Sequence, residues 1–446
     1  MSNLSVAVCT LGCKVNQYES DCIISEFTRL GFTIKDFGDV CDVYVINTCT
    51  VTAQSDKKSK QMIRRAKRLN ENAIIAVCGC FSQINPDYFK DSLPVDILAG
   101  TADKLKIPQI TFDMLENKNR VSLNIIKDIG EFKEYEYINA YTSEKTRAYI
   151  KIQDGCNAKC SYCIIPLVRG KVRSRRYEDI LNEVRRFNDT GYREIVFAGI
   201  EISSYGEDLK DIDLISLLEM LDSEPSLENI SSMRLSSLDP AYISKNFIDR
   251  FARLKKAANH FHLSLQSGSD KILNLMRRKY NTNMILENLQ YAKEKIFDLN
   301  FTADIIVGFP GESDEDFYKS VDMAEKLNIY HAHIFTYSKR QNTDAAIFEG
   351  QIDENIKNAR SRELLNKCKK IKYSILKNIA NSSEKCYDVI IENYHSENGG
   401  KYYTAKTRNY IDIKIFSDDD GIDIGTMQTV KVAGCDGEFL LCERIK

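Results

Sequence analysis

Residues 147–168 read RAYIKIQDGCNAKCSYCIIPLV. The run Arg147–Gln153 has the look of a buried strand. Three cysteines spaced C-x-x-x-C-x-x-C follow it on a loop, Cys156, Cys160 and Cys163. Thiolates are preferred ligands of iron–sulfur clusters, and three on one tight loop can hold three irons of a 4Fe–4S cluster while the fourth stays open. An open iron can chelate the amino and carboxylate groups of S-adenosylmethionine and pass an electron to its sulfonium. A zinc site would want a fourth Cys or His close by, and none follows the loop before His260.

Toward the C-terminus, five further strand-like runs follow: Glu194–Ala198, Ser231–Ser236, Phe261–Gln266, Phe301–Val307 and His333–Tyr337. Helical patterns such as Tyr177–Phe187, Asp213–Leu221, Asn283–Lys295 and Asp314–Lys326 fill the gaps. Six βα units in series predict an incomplete barrel whose active face lies at the strand C-termini, although a doubly wound sheet has compatible spacing. Toward the N-terminus, the short runs Ser5–Thr10, Asp42–Ile46 and Ala73–Val77 alternate with helical stretches at Tyr18–Leu30 and Asp56–Leu69, which predicts a small open α/β sheet. From Glu116 to Thr146 the chain is polar and reads as a connection. A charged helix over Glu354–Ile379 leads to five alternating runs between Tyr387 and Glu443, split by Gly and Asp clusters, which predicts a small antiparallel β-barrel. The expected organisation is an α/β chain with domains at 1–140, 141–372 and 373–446.

Composition sets limits. A chain of 446 residues with 28% charged residues is expected to form several globular domains. No apolar run is long enough to span a bilayer and no secretory signal precedes Ser5, so a cytoplasmic protein with no membrane partner is expected. Fourteen cysteines in such a chain point to reduced thiols and metal ligation. A second trio shares one trait: Cys13, Cys49 and Cys80 each follow a predicted N-terminal strand, at the rim where open α/β sheets place ligands. Cys9 and Cys78 lie on the strands, and they and the other cysteines are expected in the core.

At these six cysteines the chain resembles the radical-SAM methylthiotransferases. TLGCKVNQYES, INTCTVT and CGCFSQ resemble that family's N-terminal cluster motifs, DGCNAKCSYCIIP with RGKVRSR its S-adenosylmethionine site, and MRLSSLDP, HLSLQSGSD, ADIIVGFPGE and FTYSKR continue its pattern in order. The C-terminal runs resemble its RNA-binding TRAM domain. Cys13 is followed by Lys14, Val15 and Asn16, which looks like the group acting on threonylcarbamoyladenosine at tRNA position 37, rather than the isopentenyladenosine or ribosomal-protein aspartate groups. One departure is Gln341-Asn342-Thr343 in place of a family Gly-Thr; Asn tolerates positive φ, so the turn is expected to survive.

The resemblance implies two 4Fe–4S clusters, one on Cys156, Cys160 and Cys163 and an auxiliary one on Cys13, Cys49 and Cys80. It implies two S-adenosylmethionine molecules per turnover. One yields a 5′-deoxyadenosyl radical that takes the hydrogen from adenine C2, and the other methylates the transferred sulfur, so that C–H becomes C–S–CH₃. Tyr162, Gly199, Glu201, Arg173, Arg175, Gln266 and Ser267 are expected to contact S-adenosylmethionine; no side chain is singled out as catalytic. The implied partners are the tRNA anticodon loop, a reductase or flavodoxin/ferredoxin electron donor and a sulfur source. A non-catalytic iron–sulfur RNA-binding protein is the reading from another class, and the open-iron loop argues against it.

For RNA, the segment SDKKSKQMIRRAKR carries Lys57, Lys58, Lys60, Arg64, Arg65, Lys67 and Arg68 on one predicted helix, capped by Ser55 or Asp56. The C-terminal segment is acidic on balance, so an RNA face there must be segregated. Lys401, Lys406, Arg408 and Lys414, with Tyr402, Tyr403 and Tyr410 among them, are the expected face.

Overall fold

The computed structural model describes residues 4–136, 140, 146–382, 385–397, 400–416 and 421–445. The N-terminal part is a six-stranded, wholly parallel sheet. Its strands are β1 (Ser5–Thr10), β2 (Thr33–Ile34), β3 (Val43–Thr48), β4 (Ile74–Gly79), β5 (Ile97–Leu98) and β6 (Leu123–Asn124), in spatial order β2-β1-β3-β4-β5-β6. Period-two alternation divides β4 between two cores. Ile75 and Val77 meet Ile63 and Ala66 of helix α2 (Ala53–Leu69), while Ile74, Ala76 and Cys78 face Ile23 and Phe27 of helix α1 (Lys14–Arg29). Strand β6 lies inside the stretch read as a mere connection. It is two residues long, too short for any periodicity to show. Residues 137–139 and 141–145 of that stretch lie outside the described residues.

The central part carries β7 (Ala148–Lys151), the short antiparallel pair β8 (Gln153–Asp154) and β9 (Arg173–Ser174), then β10 (Glu194–Ala198), β11 (Ser232–Leu235), β12 (Ser237–Leu238), β13 (His260–Gln266), β14 (Asn300–Val307) and β15 (His331–Thr336). The expected strand Ser231–Ser236 is broken after Leu235. One parallel sheet therefore runs β11-β10-β7 and another β12-β13-β14-β15, which together make an unclosed barrel of parallel strands. The layer between these strands and the helices over them is built of Ile, Leu, Val and Phe, such as Ile150, Phe197, Leu235, Leu263 and Ile305 packed with Ile180, Leu217, Leu289 and Phe317. Helix α1 closes against this barrel, because its Tyr18 and Cys22 belong to the same core.

The helix Glu354–Asn381 leads to β16 (Cys386–Glu397), β17 (Gly400–Thr407), β18 (Asp412–Phe416), β19 (Met427–Cys435) and β20 (Leu440–Arg444), a closed barrel in the order β16-β17-β18-β20-β19. The barrel is not wholly antiparallel as expected: β18 and β20 pair parallel, with Ile413 opposite Leu440. The turn between β17 and β18 is driven into the strand-start end of the central barrel. Asn300 Nδ2 donates to Asn409 O (3.0 Å), Arg408 Nε donates to Ala257 O (3.1 Å), and Tyr410 stacks on His260 with centroids 4.5 Å apart.

Candidate active site

The loop after β8 is shaped by Gly155, at φ +70°, where a Cβ would sit 1.9 Å from Lys171 O. Cys156 N donates to Gly170 O (3.0 Å) and Cys163 N to Cys160 O (3.2 Å), which folds three thiols onto one turn. The Ala158 N–H points at Cys156 Sγ (3.4 Å) and Arg278 Nη1 at Cys160 Sγ (3.3 Å). Burial pushes the Cys156 thiol up to about 11 and the Cys163 thiol up to about 12. Such thiols stay protonated when free and ionise when a metal takes the proton's place. Three converging sulfurs, each of two with a donor aimed at it, suit an iron–sulfur cluster.

The second trio also converges. Cys13 caps α1, Cys49 follows β3, and Cys80 opens the short helix α3 (Cys80–Ile84) after β4. Gly12, at φ +112°, lies so near Cys49 that an added Cβ would be 3.1 Å from its Sγ. Burial and the neighbouring Cys80 and Cys13 push the Cys49 thiol up to about 12. Cys80 is buried with Ile164 and Val168, and Ile164 directly follows Cys163. Ile164 is thus next to a cysteine of each trio.

The first trio lines a cavity of about 280 Å³, together with Ile164, with Val51 and Thr52 just past Cys49, and with Tyr162, Glu201, Gln266, Arg278 and Asp304. Tyr162 meets Phe309 edge-on at 6.2 Å. Burial, with Asp239 nearby, pushes Glu201 up to about 7, and its Oε1 has no hydrogen bond among the described residues. Gln266 is held at φ +59°.

Four expected ligand contacts are not at the cavity wall. Gly199 packs on Gln153, whose Oε1 accepts from Glu201 N (2.9 Å). Ser267 is fully buried against Ser320. Arg173 donates to Arg169 O (2.9 Å) and pairs with Asp154, and Arg175 is buried in an ion pair with Glu183 beside Tyr18. These two arginines read as anion binders because sequence does not show their buried carboxylate partners.

Sequence reading missed two arginines. Arg278 reaches Cys160 from a loop more than a hundred residues away, held by Asp239 (2.8 Å). Arg169, fully buried, bridges Glu19 (2.8 Å), Asp154 (3.1 Å) and Asn16 (2.8 Å), while Lys104 and Lys151 complete the charge around Glu19. It ties α1 to the cysteine loop. Its nearest sequence signal was the RG of RGKVRSR, from which Arg173 and Arg175 were read instead.

The helix α2 is capped not by Ser55 or Asp56 but by Thr52, whose hydroxyl accepts from Ser55 N (3.2 Å). Asp56 instead holds Arg340 (2.6 Å), which also donates to Thr50 (2.7 Å), and Ala53 N donates to Ser338 (3.1 Å). The segment after Cys49 is thus clamped to the barrel rim, and Asn342 beyond it takes φ +64° as expected. Lys57, Lys60, Arg64, Lys67 and Arg68 border one broad groove, whereas Lys58 and Arg65 turn toward Cys9 and Gly38. In the C-terminal barrel, Arg408 and Tyr410 are consumed by docking, Lys406 pairs with Asp412, and Tyr403 is buried, so those four do not form the expected face. Tyr402 remains, stacked on His395 at 4.8 Å with Lys414 over its ring.

The radical SAM superfamily matches residues 150–324, and residues 5–100 match an uncharacterised protein family, UPF0004. The chain is 41% identical over 363 residues to a threonylcarbamoyladenosine tRNA methylthiotransferase, MtaB, of Bacillus subtilis, covering 81% of this chain and 79% of that protein. The chain belongs to the radical SAM tRNA methylthiotransferases. The enzyme is also 32% identical over 411 residues to a tRNA-2-methylthio-N(6)-dimethylallyladenosine synthase of Finegoldia magna, covering 91% of this chain and 87% of that protein. Its fold resembles the radical S-adenosylmethionine methyltransferase TsrM of Kitasatospora setae, with TM-score 0.56 at 14% identity over 78% of this chain and 77% of that one. It uses S-adenosylmethionine and 4Fe–4S chemistry, and no described helix is long and apolar enough to cross a membrane.

Proposed function

We propose that the enzyme converts N6-threonylcarbamoyladenosine at tRNA position 37 to its 2-methylthio derivative, using two 4Fe–4S clusters and two S-adenosylmethionine molecules. The observation that carries this is the cavity lined by Cys156, Cys160 and Cys163 and by Val51 and Thr52 just past Cys49, with Cys80 packed against Ile164 of the same wall. Cys156, Cys160 and Cys163 hold one cluster and Cys13, Cys49 and Cys80 the other. When bound, these groups supply the radical that removes the adenine C2 hydrogen and the sulfur and methyl that replace it.

The protein's own part is placement. Tyr162 offers a ring face for an adenine, and Glu201, with an unpaired oxygen, accepts an ammonium hydrogen. Arg278 and the Ala158 N–H donate to cluster thiolates and stabilise their charge. Ile164, packed on Cys80 and next to Cys163 in the chain, puts the two sites side by side. The α2 groove of Lys57, Lys60, Arg64, Lys67 and Arg68 tracks RNA phosphates. Threonylcarbamoyladenosine is favoured over isopentenyladenosine by the motif after Cys13 and by the higher identity to the Bacillus relative. A tRNA substrate places the enzyme in the cytoplasm, with a reductase or flavodoxin/ferredoxin as electron donor and a separate sulfur source.

The test is nucleoside mass spectrometry after anaerobic turnover on anticodon stem-loops carrying threonylcarbamoyladenosine or isopentenyladenosine. A mass gain of one methylthio group on the former alone is expected. Product on isopentenyladenosine alone moves the substrate, and no product on either removes the proposal.

A further inference from the structure

Starting from Asp304 at the cavity wall, a row of polar side chains takes no part in the chemistry above. Asp304 on β14 lines the wall. Its Oδ1 lies 3.1 Å from His262 Nε2 on β13 and 3.0 Å from His333 Nδ1 on β15. The row continues inward: His262 Nδ1 is 2.7 Å from Thr302 Oγ1, which is 2.8 Å from His260 Nε2.

The proton order follows from the end of the row. An ionised carboxylate only accepts, so His262 Nε2 and His333 Nδ1 both carry hydrogens. The Thr302 hydroxyl joins the two rings, donating to one ring nitrogen and accepting from the other. At the inner end of the row, His260 Nδ1 has no hydrogen-bond partner among the described residues. Hydrogen bonds from both histidines hold Asp304 well below the usual carboxylate range, against its burial.

The result is a fixed carboxylate with one oxygen committed and the other, Oδ2, without a hydrogen-bond partner among the described residues. Lys14, the residue after Cys13, lies within electrostatic reach of Arg234, Asp304 and Glu194 and has no ion pair or hydrogen bond among the described residues. A fixed acceptor beside an available cation suits a group that carries both an N–H and a carboxylate.

We propose that Asp304, held by His262 and His333, together with Lys14 is the seat of the aminoacyl-carbamoyl substituent on the substrate adenine. The carbamoyl N–H donates to Asp304 Oδ2 and the substituent's carboxylate meets Lys14. This rests on the threonylcarbamoyladenosine reading and adds the residues that select it. An isoprenyl substituent offers neither group and would leave a buried acceptor and a cation unpaired, which is how a polar site rejects an apolar analogue.

The experiment uses anaerobically reconstituted enzyme and three anticodon stem-loops of one sequence, with threonylcarbamoyladenosine, isopentenyladenosine or unmodified adenosine at position 37. The readout is the ratio of affinities for the first and third, so a general loss of RNA binding cancels. Wild type is expected to favour the threonylcarbamoyl form. His333→Ala and Lys14→Met should each lower that preference by about tenfold or more, the size of one charge-assisted hydrogen bond. His333→Gln, which keeps a donor toward Asp304, should restore most of it. Iron content per chain, measured on each variant, separates misfolding from loss of selection.

An unchanged ratio in both correctly loaded variants, while wild type keeps its preference, overturns the seat and leaves the substrate reading intact. A wild type that favours isopentenyladenosine overturns both. Two histidines and a carboxylate within 4.8 Å also suit a divalent metal. Stoichiometric zinc or manganese, retained by wild type and lost in His333→Ala, would overturn the proposal in favour of a metal site.

Discussion

Removing Arg169 tests the joint between the N-terminal sheet and the central barrel. Its guanidinium is fully buried and makes hydrogen bonds to Glu19, Asp154 and Asn16. Arg169→Ala deletes those bonds and leaves a void, but Glu19 keeps Lys104 and Lys151, and Asp154 keeps Lys151 and Arg173. Breaking a buried pair costs about 3–5 kcal/mol when a charge is stranded. No carboxylate is stranded here, so the lower end applies, about 3 kcal/mol. At the entropy typical of a domain of this size, the thermal midpoint should fall on the order of 10 °C. Arg169→Lys keeps the charge but cannot bridge three partners, and should lose about half as much. The pH dependence has a definite sign. Burial opposes ionisation of Glu19, but Arg169, Lys104 and Lys151 outweigh it and hold the carboxyl well below its usual range. Its stabilisation is complete above the unfolded value of about 4.3 and is lost only as pH falls toward the folded one. The deficit should therefore be constant between pH 6 and 8. The assay is differential scanning calorimetry of cluster-loaded enzyme at pH 6, 7 and 8, with iron content measured on the same samples. A midpoint within 2 °C of wild type, at equal iron content, would refute this account of the network.

Reconstituted wild type should bind about eight irons per chain, and Cys80→Ala about half of that with no methylthio product. Cys78→Ala should keep both clusters, since Cys78 faces the α1 side of the sheet; iron analysis that shows equal loss in the two variants would contradict this. Reversing charge at Arg64 and Arg68, which share the groove, should weaken tRNA binding several-fold and flatten its salt dependence, as read by titration at two salt concentrations. Reversal at Lys58 and Arg65 should have the smaller effect, and equal effects would show that no face is preferred. His260 is pushed well below its ordinary value by burial and by Arg234 and His262, so the native state refuses a proton that the unfolded chain accepts. Its contribution is whole above pH of about 6.5 and falls below it, by at most about 1.4 kcal/mol per pH unit. His260→Gln should then shrink the drop in thermal midpoint between pH 7.5 and 5.5; an unchanged drop would place the acid sensitivity elsewhere.

Much of this enzyme is legible along the chain, because its chemistry rests on local features. The C-x-x-x-C-x-x-C loop is contiguous, so its meaning survives without a structure. The order of βα units comes from periodicity, and that depends only on near neighbours. Cys13, Cys49 and Cys80 were readable as a set because a parallel sheet brings all its strand ends to one rim. Strands of two residues, such as β5 and β6, were not readable, since alternation needs several residues to show.

What only the tertiary structure decided is which charges are already taken. Arg173, Arg175, Arg408 and Lys406 look available in sequence, yet each is committed to a carboxylate or carbonyl, that of Asp154, Glu183, Ala257 and Asp412 respectively, and only the fold brings these together. Arg278 and Arg169 look ordinary, yet the one points at Cys160 and the other bridges α1 and the cysteine loop. The same holds for His262, Asp304 and His333, far apart in the chain and joined only by strand order in the sheet. A charge buried without a partner costs several kcal/mol, so each must find one in the fold, and that partner is set by packing between segments rather than by spacing within one.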